Sequence, residues 1–192
     1  KVRFVLPKIK ELIQKLEADF VFLQEVQGRN DRQQKRLSDW PDENQTDFLA
    51  MDMWAHSAYG KNAIYQAGHH GNALLSKYPL IEKENINLSF LPRASRSLLH
   101  GVIELDGVKV HLMCLHLGLF KEERLKQVAT LVDRILESIP NDLPLILAGD
   151  FNDWRKDLTD CLETRLGLKE VMKEMNGEHA KSFPAMTPAF QT

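Results

Sequence analysis

Four residues of types that can serve a metal ion, a nucleophile or only a turn come at or just after the ends of apolar runs. Glu25 closes FVFLQE, His116 closes VHLMCLH, and Asp150 and Asn152 follow the apolar residues of LILAGDFN. An unpaired carboxylate or imidazole is costly to bury, so a hydrophobic core alone does not explain this pattern. If the strand ends meet at one rim, the four side chains form an oxygen-rich site for a hard divalent cation beside a titratable group.

Each of these residues also has an ordinary structural interpretation when it is taken alone. Glu25 could be a solvated residue at a strand edge, and His116 could be a hydrogen-bonded structural histidine. Asp150 and Asn152 could form an Asx-type turn. Taken together, the ends of the three apolar runs favour a functional site, on the condition that the three strands are neighbours in the fold.

The elements that must position these residues begin with a helix and a strand. Pro7 suits a first helical turn, and the apolar residues after it share one face at helical spacing: Ile9, Leu12, Ile13 and Leu16. The β-rich run over residues 20–23 then leads to Glu25. Residues 28–47 are polar and turn-rich, which predicts a loop with one short helix.

The clearest hairpin precedes His116. Two β-rich runs, 98–105 and 108–115, flank Asp106 and Gly107, a pair that strongly favours a tight turn. The hairpin therefore predicts two antiparallel strands, the second of which ends at His116.

A helix and a further strand lead to Asp150. The helix is predicted from Lys121 to Pro140, with one apolar side: Leu125, Val128, Val132, Ile135 and Ile139. The run LILA then forms a strand. Helices that cover sheets built from hairpins predict an α+β fold, and no linker or repeat divides residues 1–192 into more than one domain.

Composition narrows the class of protein. The chain has 192 residues, 43% hydrophobic and 27% charged, with a net charge of −2, so no global positive field favours nucleic acid. Cys114 and Cys161 do not suggest a disulfide framework, and Cys114 lies in an apolar run typical of a core. No run approaches the roughly 20 residues of a membrane span, and residues 1–20 lack a signal-peptide pattern. We therefore expect a cytoplasmic monomer without a transmembrane segment.

The chain resembles the endonuclease/exonuclease/phosphatase superfamily in four segments. FLQE, GNALLSKYPL, CLHLGL and ILAGDFN follow in that family's order and approximate spacing, between about Pro7 and Pro188. The resemblance implies a four-layer α-β-β-α sandwich of two mixed, largely antiparallel sheets, with the active site at one end of the sheets. Family members include deoxyribonucleases, abasic-site endonucleases, sphingomyelinases and inositol-polyphosphate phosphatases.

The resemblance also assigns roles to the four residues. Glu25 matches the magnesium ligand, and Asp150 and Asn152 match the pair that orients the attacking water and holds the scissile phosphate. His116 matches a histidine beside the phosphate that serves as donor or general acid. A set dominated by oxygen ligands favours Mg²⁺, with Mn²⁺ as the alternative, over Zn²⁺.

The resemblance also implies phosphate contacts from Asn72 and Arg96, which lie where the family often places them, with Arg93 as a rival of Arg96. An arginine at such a place can donate two hydrogen bonds to a phosphate. His69 and His70 could suggest a zinc pair. Adjacent residues of a strand point to opposite faces, so we expect a loop role near the substrate for at most one of them.

Two features of the family pattern are missing from this sequence. The family begins with an Asn-bearing strand and closes with a Ser-Asp-His element, and neither occurs here. KSFPAMTP, residues 181–188, resembles the segment that comes before the closing motif. We therefore expect a single domain over 1–192 that lacks the first strand and the C-terminal Ser-Asp-His segment.

The function that follows is Mg²⁺-dependent hydrolysis of a phosphate ester, by a phosphodiesterase or nuclease-like enzyme. Two alternatives stay open: a phosphomonoesterase or sphingomyelinase-like enzyme, and a non-catalytic binding module on the same fold.

Overall fold

The computed structural model describes residues 5–38, 40–91 and 95–179, so Arg93 and the segment 181–188 lie outside the described residues. The helices are α1 (Leu6–Lys15), α2 (Asp31–Arg36), α3 (Gln45–Ala50), α4 (Lys121–Ser138), α5 (Thr159–Leu166) and α6 (Val171–Asn176). The strands are β1 (Phe20–Asn30), β2 (His56–Tyr65), β3 (Gly68–Ser76), β4 (Glu82–Asn87), β5 (Ser97–Leu105), β6 (Val108–His116) and β7 (Leu145–Asp150).

The chain divides into two compact units. The first contains the described residues up to Gly118 together with Asp142–Phe151, and the second contains Leu119–Asn141 and the described residues from Asn152 onward. All seven strands named above belong to the first unit.

Two sheets form the first unit. One has the order β1-β3-β2 and is antiparallel throughout; the other has the order β4-β5-β6-β7, in which β6 and β7 are parallel. The Asp106–Gly107 turn joins β5 to β6 as predicted. The fold is therefore the expected α+β sandwich of two largely antiparallel sheets, of which one is mixed and the other purely antiparallel.

Alternating side chains of both sheets form the core between them. Leu74 of β3 packs in one cluster with apolar residues of β5 and β6, among them Leu99, Ile103, Leu112 and Cys114. Burial raises the pKa of the Cys114 thiol to about 11, which is the behaviour of an inert core cysteine. Strand alternation alone produces this arrangement, because every second residue faces the opposite sheet.

The other face of the β1-β3-β2 sheet is covered by α1 and α3. Leu6, Leu49 and Trp54 pack there against Leu75 of β3, and the Trp54 indole N–H donates to the Ala18 carbonyl at 2.9 Å. On the predicted apolar face of α1, Ile13 packs against this cluster, whereas Ile9, Leu12 and Leu16 are exposed. Helical spacing thus predicted the element correctly and its contact surface in part.

Residues 28–47 contain more regular structure than predicted. Strand β1 continues to Asn30, and two short helices follow where one was expected. Each helix begins at an asparagine that accepts a hydrogen bond from the backbone three residues later: Asn30 from Gln33 and Asn44 from Asp47. These N-caps satisfy amide groups that would otherwise have no partner in the helix.

The second unit is built on α4. Lys121 pairs with Asp157 at 2.9 Å, and the buried Arg124 lies 3.8 Å from Asp153. The predicted buried side of the helix is confirmed for Val128, Val132 and Ile135, whereas Leu125 is exposed and Leu131 is buried in its place. Among the described residues, no helix is long and apolar enough to cross a membrane.

Candidate active site

Glu25 lies in a β-bulge in the middle of β1. Leu23 pairs with Ala73 and Val26 pairs with Gly71, so Gln24 and Glu25 together face the single residue Asn72. Glu25 has a φ of 56°, a conformation that a non-glycine residue adopts only when its surroundings enforce it. The Gln24 amide donates to the Cys114 thiol between the sheets, while Glu25 is solvent-exposed. The bulge thus directs a carboxylate out of the sheet, a common device beside active sites.

Asp150 and His116 occupy equivalent positions at the ends of two neighbouring strands. The parallel register of β6 and β7 aligns His116 with Asp150, and the His116 Nε2 atom lies 3.8 Å from Asp150 Oδ2. Gly149 permits this close pairing, since a Cβ there would lie 2.0 Å from the Leu115 carbonyl oxygen. A turn explanation for Asp150 is therefore insufficient, because the strand itself carries the carboxylate to the histidine.

The charges around His116 show which residues share this end of the sheets. Burial is the main cause that lowers the pKa of His116, and the positive charge of Arg96 lowers it further. The carboxylates of Asp150 and Glu25 act in the opposite direction on the same pKa. Strand β1 also packs against β6 and β7. The carboxylates of Glu25 and Asp150 thus both act on His116, and the strands that carry the three residues contact one another. Their joint action on one phosphate remains a prediction.

Asn72 is fully buried between the two sheets. Its Nδ2 group donates to the Ser97 carbonyl at 2.8 Å and approaches the Cys114 carbonyl at 3.4 Å, so it ties β3 to β5 and β6. Its Oδ1 atom is buried without a hydrogen-bond partner among the described residues. In this geometry Asn72 supports the backbone opposite the Glu25 bulge, and direct contact with a phosphate remains a prediction.

Arg96 is half-buried and fixed by backbone carbonyl groups. Its Nε donates to the Leu117 carbonyl at 2.9 Å and its Nη1 to the Ser95 carbonyl at 3.1 Å. The guanidinium group is thus held next to the residue that follows His116 in the chain. This position suits a phosphate donor, and the contact itself remains a prediction.

His69 and His70 lie in strand β3 and not in a loop. His69 contacts the Tyr59 hydroxyl through Nδ1 at 3.0 Å, whereas His70 is one of the groups whose charge acts on His116. His70 also packs 5.9 Å from the ring of Tyr65. Strand alternation separates the two rings, as expected, and selects His70 as the one near the candidate site. His70 and Asn72 are two residues apart and so share one face of β3, and this spacing was the sequence signal that could have identified His70.

Asn152 begins the second unit and has a φ of 49°. The next residue, Asp153, accepts a hydrogen bond through Oδ2 from the Leu158 amide at 2.8 Å. Its role beside the scissile phosphate remains a prediction.

The donor set fits a hard cation of the magnesium type. Mg²⁺ is usually bound by one or two carboxylates, together with waters and phosphate oxygens of the substrate. The described residues contain no group of three His, Cys, Asp or Glu side chains that could hold an ion by themselves. Glu25 and Asp150 are two exposed carboxylates that both act on His116, the number of carboxylates typical of a Mg²⁺ site that is completed by waters and substrate.

The α+β sandwich with carboxylates and an imidazole at one end of its sheets is consistent with a phosphoester hydrolase, the general class that the family match supports. The sequence profile of the Endonuclease/Exonuclease/phosphatase family matches residues 6–185. The chain belongs to this family. Members of the family generally depend on divalent metal ions.

Similar proteins agree with this assignment. YbhP, an uncharacterized protein of Escherichia coli K12, is 39% identical over 188 residues, which cover 97% of this chain and 74% of YbhP. Zebrafish (D. rerio) TDP2 complexed with a single-strand DNA product aligns with a TM-score of 0.64 and 21% identity, over 90% of this chain and 63% of that one.

A mannosyl-6-phosphatase of Bacteroides thetaiotaomicron aligns with a TM-score of 0.54 and 19% identity, over 77% of this chain and 56% of that one. The present chain thus spans less than two thirds of the length of these two structures. At such identities the structural likeness supports the fold alone.

Proposed function

We propose that this protein is a Mg²⁺-dependent phosphodiesterase in which Glu25, His116 and Asp150 act on one phosphate group. The observation that carries the proposal is the arrangement around His116, whose Nε2 lies 3.8 Å from Asp150 and whose pKa responds to both carboxylates. A scaffold has no need for two exposed carboxylates beside a buried imidazole at the ends of its strands.

Each residue has a role that follows from its position. Glu25 would hold the ion at the bulge. When bound, the ion supplies positive charge that polarises a phosphoryl oxygen and offsets the charge developing in the transition state. Asp150, exposed at the strand end, would orient the attacking water and accept its proton. Asn152, two residues later, would hold the phosphate through its amide group.

His116 acts in its neutral form. Its lowered pKa leaves the imidazole uncharged near neutral pH, so one ring N–H donates to a phosphate oxygen. Arg96, bound to the Leu117 carbonyl, is placed to donate to the same phosphate. Preorganised donors of this kind stabilise charge that develops on the oxygens during displacement.

The test is hydrolysis of bis(p-nitrophenyl) phosphate by the purified protein with Mg²⁺ and with EDTA. Asp150→Asn and Glu25→Gln should each lower kcat/KM by roughly a hundredfold or more, the size expected for a lost general base or metal ligand. Glu104→Gln, a carboxylate at the opposite end of β5, is the matched control and should keep the rate. Activity that survives Asp150→Asn would refute the assignment.

A parallel assay with p-nitrophenyl phosphate separates diester from monoester hydrolysis. A higher kcat/KM for the diester is expected, whereas faster monoester hydrolysis would identify a phosphomonoesterase. No hydrolysis of either ester would favour the binding-module alternative. Cytoplasmic location and a monomeric state stay predictions of the sequence.

A further inference from the structure

A second feature of the first unit is a cavity of about 600 Å³ beside the candidate site. Its walls come from β2, from β4 and from the segment that leads into β5. The lining side chains used below are Lys61, Asn62, Asn87, Phe90 and Arg96. We propose that this cavity binds a second phosphate group of the substrate, a proposal that rests on the proposed function.

The charge of the cavity points to an anion. Among the described residues that line it, Lys61 and Arg96 are the charged ones and none is a carboxylate, in a chain whose net charge is −2. Within the described part of the chain, Lys61 forms no salt bridge. A cation without a partner in a concave surface is a ready site for a phosphate oxygen.

The amide side chains of the cavity add hydrogen-bond donors. Asn62 accepts from the Ala63 amide through Oδ1 at 2.8 Å, and Asn87 accepts from the Ser89 amide through Oδ1 at 2.9 Å. Among the described residues, neither Nδ2 group has a hydrogen-bond acceptor, so both can donate to a ligand. Anionic phosphate oxygens accept hydrogen bonds and donate none, so a donor-rich lining matches them.

A β-bulge in β2 places Asn62 in this wall. Lys61 pairs with Gly71 and Ala63 pairs with His70, so Asn62 is the surplus residue of β2. On the other side of β3, β1 has two irregularities over the neighbouring stretch, one at Gln24–Glu25 and one between Gln27 and Arg29. Bulges of this kind re-aim side chains and are frequent next to active sites.

Arg96 connects the cavity to the catalytic residues. It lines the cavity, donates to the Leu117 carbonyl at 2.9 Å and acts electrostatically on His116. A phosphate at the catalytic residues and a second phosphate near Lys61 would therefore lie on either side of one arginine. The exposed ring of Phe90 adds an apolar wall that a nucleobase could contact.

Two sources would supply a second phosphate: an adjacent nucleotide of a nucleic-acid strand, or a small sugar bisphosphate. Binding measurements by calorimetry in Mg²⁺ buffer test the shared chemistry. Thymidine 3′,5′-bisphosphate should bind roughly three- to tenfold more tightly than thymidine 5′-monophosphate, the range expected of one partly exposed charged contact.

Lys61→Ala should abolish that preference, and the exposed position of Lys61 makes a folding defect easy to exclude by thermal unfolding. Lys109→Ala is the matched control; this lysine lies at the opposite end of β6 from His116, and its variant should keep the preference. Equal binding of the two nucleotides by the unaltered protein, or a preference that survives Lys61→Ala, would overturn the proposal.

The same comparison with fructose 1,6-bisphosphate and fructose 6-phosphate separates the sources. A preference confined to the nucleotide pair and reduced by Phe90→Ala supports a nucleic-acid strand. A preference in both pairs, unaffected by Phe90→Ala, supports a small bisphosphate. Because binding needs no turnover, a protein that shows the preference but hydrolyses no ester would refute the proposed function and leave the second-phosphate site standing.

Discussion

The backbone at Glu25 allows a stability prediction whose sign is opposite to the usual one. At an ordinary strand position, glycine is less stable than alanine by about 0.5–1 kcal/mol because it loses more conformational freedom on folding. Residue 25 has a φ of 56°, where glycine carries no steric penalty and alanine does. The Glu25→Gly variant should therefore be more stable than Glu25→Ala by about 1 kcal/mol.

The comparison cancels the loss of the carboxylate, since both variants lack it. Lys83 is an exposed residue of β4 without a positive φ, and serves as the reference position. Lys83→Gly should be less stable than Lys83→Ala by about 0.5–1 kcal/mol, so the two pairs should differ by roughly 1.5–2 kcal/mol.

Urea unfolding followed by circular dichroism, in buffer without Mg²⁺, measures these free energies. In thermal unfolding, 1 kcal/mol corresponds to about 2–4 °C in Tm for a chain of this size. Both Glu25 variants should lack Mg²⁺-dependent hydrolysis. The reasoning fails if Glu25→Gly is the less stable of its pair, because the bulge would then store no strain at this residue.

Three further perturbations test the site. Mg²⁺ at roughly ten times its Kd should raise the unfolding free energy by about 1.4 kcal/mol, which is measured as a higher Tm. The Glu25→Gln variant should lose this rise in Tm. An equal rise in the variant would place the ion elsewhere. Gly149→Ala should cost about 3 kcal/mol or more, measured in urea, because its new Cβ meets the β6 backbone at a φ of 149°; a neutral substitution would contradict the close strand pairing. Burial lowers the pKa of His116 in the folded protein. Below the pKa of an unfolded histidine, about 6.5, the unfolded state therefore binds the proton more readily, and the unfolding free energy falls as the pH drops. His116→Gln should flatten that part of the stability–pH profile, and an unaltered slope would assign the acid sensitivity to other groups.

Much of the fold could be predicted because its signals are local. The Asp106–Gly107 turn, the alternation of β6 and the apolar period of α4 each depend on a few neighbouring residues. The exposed side chains of α1, such as Leu12, show where this information ends. Periodicity predicts a helical face, but the surface that covers it comes from residues far away in the chain.

The candidate site was predictable to a similar degree. The types of Glu25, His116 and Asp150 and their positions at strand ends indicated the chemistry, and parallel pairing of β6 with β7 brings two of them together. The bulge was not predictable, because it depends on how β1 registers against Asn72 of a later strand. The cavity beside Arg96 was equally hidden, since it joins segments that local patterns treat separately.

The bulge in β1 also has a consequence for redesign. Gln24 and Glu25 share one partner position, and Gln24 makes the core contact with Cys114 while Glu25 is exposed. Under the proposed function, exchanging Glu25 for aspartate, histidine or cysteine would therefore vary the chemical hardness of the atom offered to the ion without altering the core contact of its neighbour. Ion preference would then depend on a single side chain that the packing of the sheets does not constrain.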